Sequence, residues 1–490
     1  MTPHAPSPLR TLAAALLLGL LGQSLFYRAA PGLNVFLWLA GLSATGLILV
    51  RGPDRSVPPA LGWLAVAALG FGTGFVWRDS PALWFLDCLS LAAVFALIPG
   101  PALPRTVREI LERAGGSLVS LWGGFPVLAL DARREWAATG NARNPTAAAG
   151  RGLAVASPLL IAFGSMLIAA DARFEQWMGW LLNPEELFPR LLVAGVFAWI
   201  AGGALRWVVS RQAATPGVSR PNGFGLGRIE IAVVLGTVNL LFLSFVLAQL
   251  GYFFGGSALV LDRPDLTYAA YARRGFFELV GVSALVLPTL LMLDAWVRED
   301  RARVVFRWLA GLQIGLVLVI MASAAHRMLL YERAFGLTEA RLLAIAFMGW
   351  LGLVLLWVVA TVLRDRAERF LPGALLTWSL GVFALTAVNP AALVVQANVS
   401  RAEQGKGIDV AYLARLGSDA VPDLVAALPR LDSSSRQEVA FRLRCRESRP
   451  VTDWREWNLS RVRARSVLEE NEADLQSLSE QWGPASRCWD

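Results

Sequence analysis

The chain has 490 residues, a formal net charge of +8, 56% apolar residues and 17% charged ones. Soluble domains carry roughly 25% charged residues. This balance excludes disorder, a coiled coil and an ordinary cytosolic enzyme, and it points to a chain that crosses a membrane many times. Lys406 is the sole lysine; the other basic residues are arginines standing singly or in small groups between apolar runs. That is membrane-flanking charge, not the basic face of a nucleic-acid binder, so no nucleic-acid partner is expected. His4 and His326 are the two histidines, too few for a His-ligated zinc centre. Cys88, Cys445 and Cys488 form no CxxC motif. No metal or cofactor is expected.

A helix needs about 20 apolar residues to cross the ~30 Å hydrocarbon layer. Eleven stretches qualify: about Leu9–Tyr27, Asn34–Val50, Pro59–Trp77, Pro81–Ile98, Leu153–Ala170, Leu191–Val209, Ile229–Gly251, Gly275–Val297, Val304–Ser323, Ala340–Leu363 and Phe370–Val388. None alternates with period two, so a transmembrane barrel is not expected. The expected fold is an all-α polytopic bundle of about eleven spans with a small C-terminal extracytoplasmic helical-hairpin domain. Its parts are a four-helix segment over 1–98, a cytoplasmic loop over 99–152, the main bundle over 153–390 and a tail over 391–490.

Arginine sets the orientation. Alternate gaps hold 21 arginines on one side and 10 on the other. The richer side is expected to be cytoplasmic, which puts the N-terminus inside and the tail outside. The first run, longer than a usual signal-peptide core, reads as an uncleaved helix.

In the 99–152 loop, Val107, Ile110, Leu111, Ala114, Leu118, Leu121 and Trp122 draw one apolar stripe on a helix. Beside a membrane this fits an amphipathic helix lying in the interface with the lipid bilayer.

After Asn389-Pro390 the chain turns polar. A short helix from Val410 should end at Gly417. A second, capped by Ser418 or Asp419 with Pro422 in its first turn, should stop at Pro429. A third is expected over about 434–445 and a fourth over 460–482. Such paired short helices are similar to HEAT-type or tetratricopeptide-type hairpins, which commonly present binding surfaces. An extracytoplasmic protein partner is therefore expected for residues 391–490.

Ionisable groups inside spans are costly and draw attention. Arg206 and Asp294 lie near span ends, where side chains snorkel, and Glu278 is one turn into its span. Asp87 is the deepest, and reads as a partnered structural carboxylate before a proton relay. Asn239 and Gln249 suit interhelical hydrogen bonds, and Gly70 and Gly74 a close helix approach.

Two external segments carry the remaining polar side chains. In the first, Tyr268 and Tyr271 share a helix face, with Arg273, Arg274 and Glu278 beside them. In the second, Gly336 ends a helix and Thr338 caps the next, leaving His326, Arg327, Tyr331, Glu332 and Arg341. Together they make a candidate external pocket for a lipid headgroup or an anionic glycan. An aromatic belt with basic neighbours explains the first segment equally well. No catalytic residue is assigned. Cys445 and Cys488 both fall in the tail, and outside the cytoplasm thiols pair. A Cys445–Cys488 bridge is expected, worth roughly 4 kcal/mol by loop entropy.

The runs Tyr271-Ala-Arg-Arg-Gly-Phe-Phe-Glu-Leu, Gly336-Leu-Thr-Glu-Ala-Arg, Leu416-Gly-Ser-Asp-Ala-Val-Pro and Trp457-Asn-Leu-Ser-Arg resemble the bacterial domain-of-unknown-function family 4173, over about residues 225–465. The resemblance implies a polytopic membrane protein with an external helical tail and brings no catalytic residues. Within it, Trp454 and Trp457 read as core packing and Asn458 as a helix cap. A non-enzymatic sensor, scaffold or assembly subunit is the leading expectation. The alternatives are a transporter of a small or lipid-linked solute and a membrane enzyme acting on lipid-linked glycans.

Overall fold

The structure, a computed structural model, describes residues 6–51, 57–100, 102–104, 106–138, 156, 184–213, 225–254, 276–297, 299–446 and 453–482. Among them the chain is helical throughout, with one isolated bridge between Leu226 and Val297 in place of any sheet. The apolar runs become α1 (Pro8–Phe26), α2 (Leu33–Val50), α3 (Pro59–Trp77) and α4 (Pro81–Leu97). After α5 (Val107–Ala138) come α6 (Pro184–Ala213), α7 (Arg228–Phe254), α8 (Phe276–Trp296), α9 (Asp300–Phe335), α10 (Glu339–Ala360) and α11 (Phe370–Val388). Nine of these, among the described residues, are long and apolar enough to cross a membrane; α4 is apolar but shorter. The expected span over 153–170 lies outside the described residues.

Local sequence chooses the helix starts. Ser7, Ser80 and Thr338 accept backbone N–H bonds from Arg10, Leu83 and Arg341, and Pro8, Pro59 and Pro81 occupy first positions where a missing N–H costs nothing.

Contacts between helix ends sort the bundle into two faces. On one, Arg190 at the start of α6 stacks on Tyr27 at the end of α1, Ser80 donates to Glu339 at 2.6 Å, and Arg78 donates to the carbonyl of Thr386 near the end of α11. On the other, Ser7 donates to Glu135 of α5 at 2.6 Å, and Leu226 N–H donates to Trp296. Asp294, Arg303, Arg307 and Asp365 form an ion-pair chain there, across α8, α9 and the turn before α11.

α5 is longer than the sequence suggests and does not simply lie on the surface. Its contacts climb α6 and return: Gly116 faces Trp207, Ser120 donates to Gly203, and Trp122 accepts from Trp199. Phe125 then stacks on Trp199, Asp131 pairs with Arg206 at 2.8 Å, and Glu135 reaches Ser7 at the start of α1. Pro126 sits at the turning point, where a proline bends a helix. Both ends carry charge and the middle is apolar, so α5 enters and leaves by the same face. Small residues permit this depth, because a Cβ on Gly203 would stand 2.5 Å from the Ser120 carbonyl oxygen. The expected apolar stripe is divided. Leu111, Leu118 and Trp122 point outward, while Ser117 and Gly124 are buried on the inner side.

Beyond Asn389, which caps α12 (Pro390–Glu403), follow α13 (Val410–Ala414), α14 (Val421–Ala427), α15 (Ser433–Arg446), α16 (Leu459–Glu470) and α17 (Glu472–Trp482). The sequence reading missed α12 and joined the last two helices, which break at Asn471. These helices share one core, including Val395, Val399, Leu413, Leu424, Leu443 and Leu468. Leu337, from the turn between α9 and α10, belongs to that core as well.

Candidate functional site

The richest concentration of polar chemistry lies where the tail meets the bundle. Its centre is the short turn Arg78-Asp79-Ser80 between α3 and α4. Two apolar helices start and stop there within three residues, so their terminal N–H and C=O groups need partners. Arg78 is buried and donates to the carbonyls of Thr386 at 2.6 Å and Ala387 at 3.0 Å, closing the end of α11. A cation at a helix C-terminus also suits the dipole. Its remaining nitrogen faces Asp419 at 3.7 Å.

Asp79 works in both directions. Its N–H donates to Asp419 Oδ2 at 2.7 Å. Its carboxylate accepts from Ser418 at 2.6 Å and from Arg461 Nη2 at 2.7 Å. Asp419 also accepts from Ser460, and its backbone carbonyl takes Asn389 Nδ2 at 3.0 Å. Burial pushes the Asp419 carboxyl above the ordinary carboxylate range; Ser460, the Asp79 N–H and Arg78 pull it back, and the Asp79 charge adds to the rise.

Asn458 is fully buried. Its Oδ1 caps α16 through Arg461 N–H, and its Nδ2 donates to Phe75 and Arg78 carbonyls at 2.7 and 2.8 Å, closing the end of α3. The cap is the one expected. Trp454 and Trp457 are not core: they are 61% and 41% exposed. They sit beside the turn between α1 and α2, where Leu33 N–H donates to Trp457, Ala30 N–H to Glu456, and Arg455 to the Ser24 carbonyl. Tryptophan so placed suits the headgroup layer.

A third strand of contacts comes from the turn between α9 and α10. Glu339 N–H donates to Tyr412 Oη at 2.8 Å, and Asn398 Nδ2 donates to the Leu337 carbonyl at 2.8 Å. Thus Gly336-Leu-Thr-Glu, Gly-Ser-Asp at 417–419 and Asn-Leu-Ser-Arg at 458–461 converge on one junction. Chemically the arrangement is a latch. Each acid is engaged by an arginine, a hydroxyl or a backbone N–H.

The expected external pocket is brought together only in part. Tyr268, Tyr271, Arg273 and Arg274 lie outside the described residues. Glu278 is exposed at the start of α8, and His326 is exposed on α9. Arg341 lies over the Tyr331 ring, 4.2 Å from its centre, and donates to the Gly336 carbonyl. Arg327 and Glu332 share α9 with His326 and Tyr331. Asp87 is 1% exposed, and its Oδ2 has no hydrogen-bond partner. It rests directly over Gly74 of α3, where a Cβ would stand 2.0 Å from that oxygen, while Gly70 faces Phe383 of α11. Asn239 Nδ2 donates across to the Leu309 carbonyl of α9 at 2.9 Å. The Gln249 side chain lies outside the described residues, as does Cys488; Cys445 lies on α15.

Arg78 and Asp79 are inconspicuous in the sequence because charge at a span end reads as topology signal, and Arg461 because it is one of many arginines in a polar tail. The available sign was a full Arg-Asp-Ser packed into a turn of three residues.

The fold therefore defines a polytopic helical membrane protein. A family model, Domain of unknown function (DUF4153), matches residues 65–427, and the chain belongs to that family. The number 4173 expected from the motifs does not carry over, and the match starts far earlier than residue 225, taking in most of α3, the Arg78-Asp79-Ser80 turn and α4. No curated protein and no solved structure matches the chain.

Proposed function

We propose that this is a non-enzymatic protein of the bacterial inner membrane, a sensor, scaffold or assembly subunit, whose tail faces outside and meets a protein partner there. One observation carries the reading. The tail is latched through Asp79, Asp419 and Arg461 onto a single face of the bundle, so an event at its outer helices reaches the spans through fixed contacts. The arginine bias of the opposite face supports the orientation. A Cys445–Cys488 bridge belongs to the same proposal, since an external compartment favours it. The test is photocrosslinking in living cells from Glu470, Gln476 and Glu480, exposed on the outer tail. A discrete crosslinked partner from these positions, retained in His326→Ala, supports the proposal. An absence of crosslinks, together with loss of the cellular phenotype in a folded His326→Ala protein, favours the enzyme acting on lipid-linked glycans.

Transport is a second reading, with one observation behind it. Asn239 Oδ1, Ser283 Oγ and both polar atoms of Gln313 are buried without a hydrogen-bond partner. They stand on α7, α8 and α9, each about 16–20 Å from the same helix ends at 1.5 Å per residue. Polar groups near the midplane are what a solute path uses.

A further inference from the structure

Helices α2, α3, α4, α5 and α6 pack in a ring: α2 against α3 and α6, α3 against α4, α4 against α5, and α5 against α6. Their inner faces do not meet. Between them lies a cavity of about 230 Å³, walled by Leu39, Leu64, Leu91, Leu121, Ile200 and Ala204 among others, with Ser43 its one polar side chain. An apolar space of this kind does not hold water well.

Its depth is informative. The wall runs from Ile200 to Val208 on α6, about 12 Å at 1.5 Å per residue. Apart from Leu39, the residues contributed by α2, α3 and α4 lie between the middle of each helix and its end at the face where α5 enters and leaves. One leaflet of hydrocarbon is about 15 Å deep. The cavity thus has the depth and direction of one acyl chain in the leaflet on that face. The rim adds charge. Arg211 lies a turn beyond Val208 and Arg51 a turn beyond Leu47. Neither forms an ion pair among the described residues, and Arg211 Nε has no hydrogen-bond partner. Arg113 is within electrostatic reach of Arg211, but its guanidinium is committed to the carbonyls of Leu97, Pro99 and Ala102.

We propose that this chamber holds one acyl chain of a phospholipid from the leaflet on the α5 face, with the phosphate at Arg51 and Arg211. The inference goes beyond the functional reading and does not depend on it.

The test uses the full-length protein in nanodiscs containing phosphatidylglycerol with a photoreactive diazirine midway along one acyl chain. Labelled peptides are mapped after irradiation. Labels at Leu64, Leu91 and Leu121 are expected, in excess of those on the outward-facing Trp63, Val66 and Phe85. Filling the chamber with Ala68→Phe should abolish the inner labels and leave the outer ones. Ala204→Leu is the second variant should the first not fold. Arg51→Gln with Arg211→Gln should reduce inner labelling by the phospholipid probe. Inner labels that survive both filling variants, or inner and outer residues labelled alike, would overturn the site. Equal inner labelling by an uncharged diacylglycerol probe would overturn the phospholipid assignment.

Discussion

The Asp79 N–H donates to Asp419 Oδ2 at 2.7 Å, so the turn joining two membrane helices is hydrogen-bonded to a buried acid 340 residues further along the chain. The Asp79 side chain completes the link by holding Arg461. Asp79→Ala would leave the Ser418 hydroxyl without its acceptor and Arg461 with only the Pro31 and Glu456 carbonyls, at about 1–3 kcal/mol for each buried group left unpaired. The expected result is earlier tryptic cleavage within 391–490 and a lower melting temperature in detergent. Arg465→Ala, at an exposed pair on the outer tail, should change neither.

The spans were legible because twenty apolar residues admit few other fates in water or lipid. The latch was legible only as fragments. Gly417, Asn458 and Thr338 could each be assigned a cap or a helix end from local rules. That their motifs share one partner turn is a matter of tertiary placement, and no local period reports it. The two tryptophans misled for a related reason: in a membrane protein Trp is enriched at the membrane–water interface as well as in the core. α5 was legible as amphipathic but not as packed into the bundle, because the face it buries is made of small residues that hydropathy ignores.

Glycine positions offer a graded test. Gly336 has φ +83°, and a Cβ there would stand 2.1 Å from Asn398 Oδ1. Gly405 has φ +76°, but a Cβ would meet nothing within 4 Å. Gly405→Ala should therefore lose only the backbone term of about 1–2 kcal/mol. Gly336→Ala should lose more and should loosen the contact between α12 and the turn after α9. Thermal unfolding of the two variants side by side checks the order.

Gln313 is buried on α9 with both polar side-chain atoms unpaired. An unpaired buried amide costs about 1–3 kcal/mol, so Gln313→Met should raise the melting temperature. A drop instead would mean that the amide holds a bound species, and would strengthen the transport reading.

The tail should respond to acid through Asp432. Hydrogen bonds from Ser434 and Ser435 hold its carboxyl down to about 2, against an ordinary value of about 3.9. A lowered acid contributes stability that is present above the ordinary value and lost as pH falls toward 2. Protection from hydrogen exchange at the start of α15, relative to the intrinsic rate at each pH, should therefore fall over that window, and Asp432→Asn should remove the dependence. Asp419 has the opposite sign: its raised acid favours the fold below the ordinary value, and the contribution fades as pH rises through the higher one.

The most direct measurement is the side on which the latched tail stands. Ser477 is exposed on α17, and Glu368 is exposed between α10 and α11, at the opposite face of the bundle. Ser477→Cys and Glu368→Cys would be treated in intact cells with a membrane-impermeant maleimide and the labels located by peptide mass. Ser477→Cys should be labelled in intact cells, and Glu368→Cys only after permeabilisation. The reverse pattern would contradict the orientation, and labelling of both in intact cells would contradict the two-faced bundle itself.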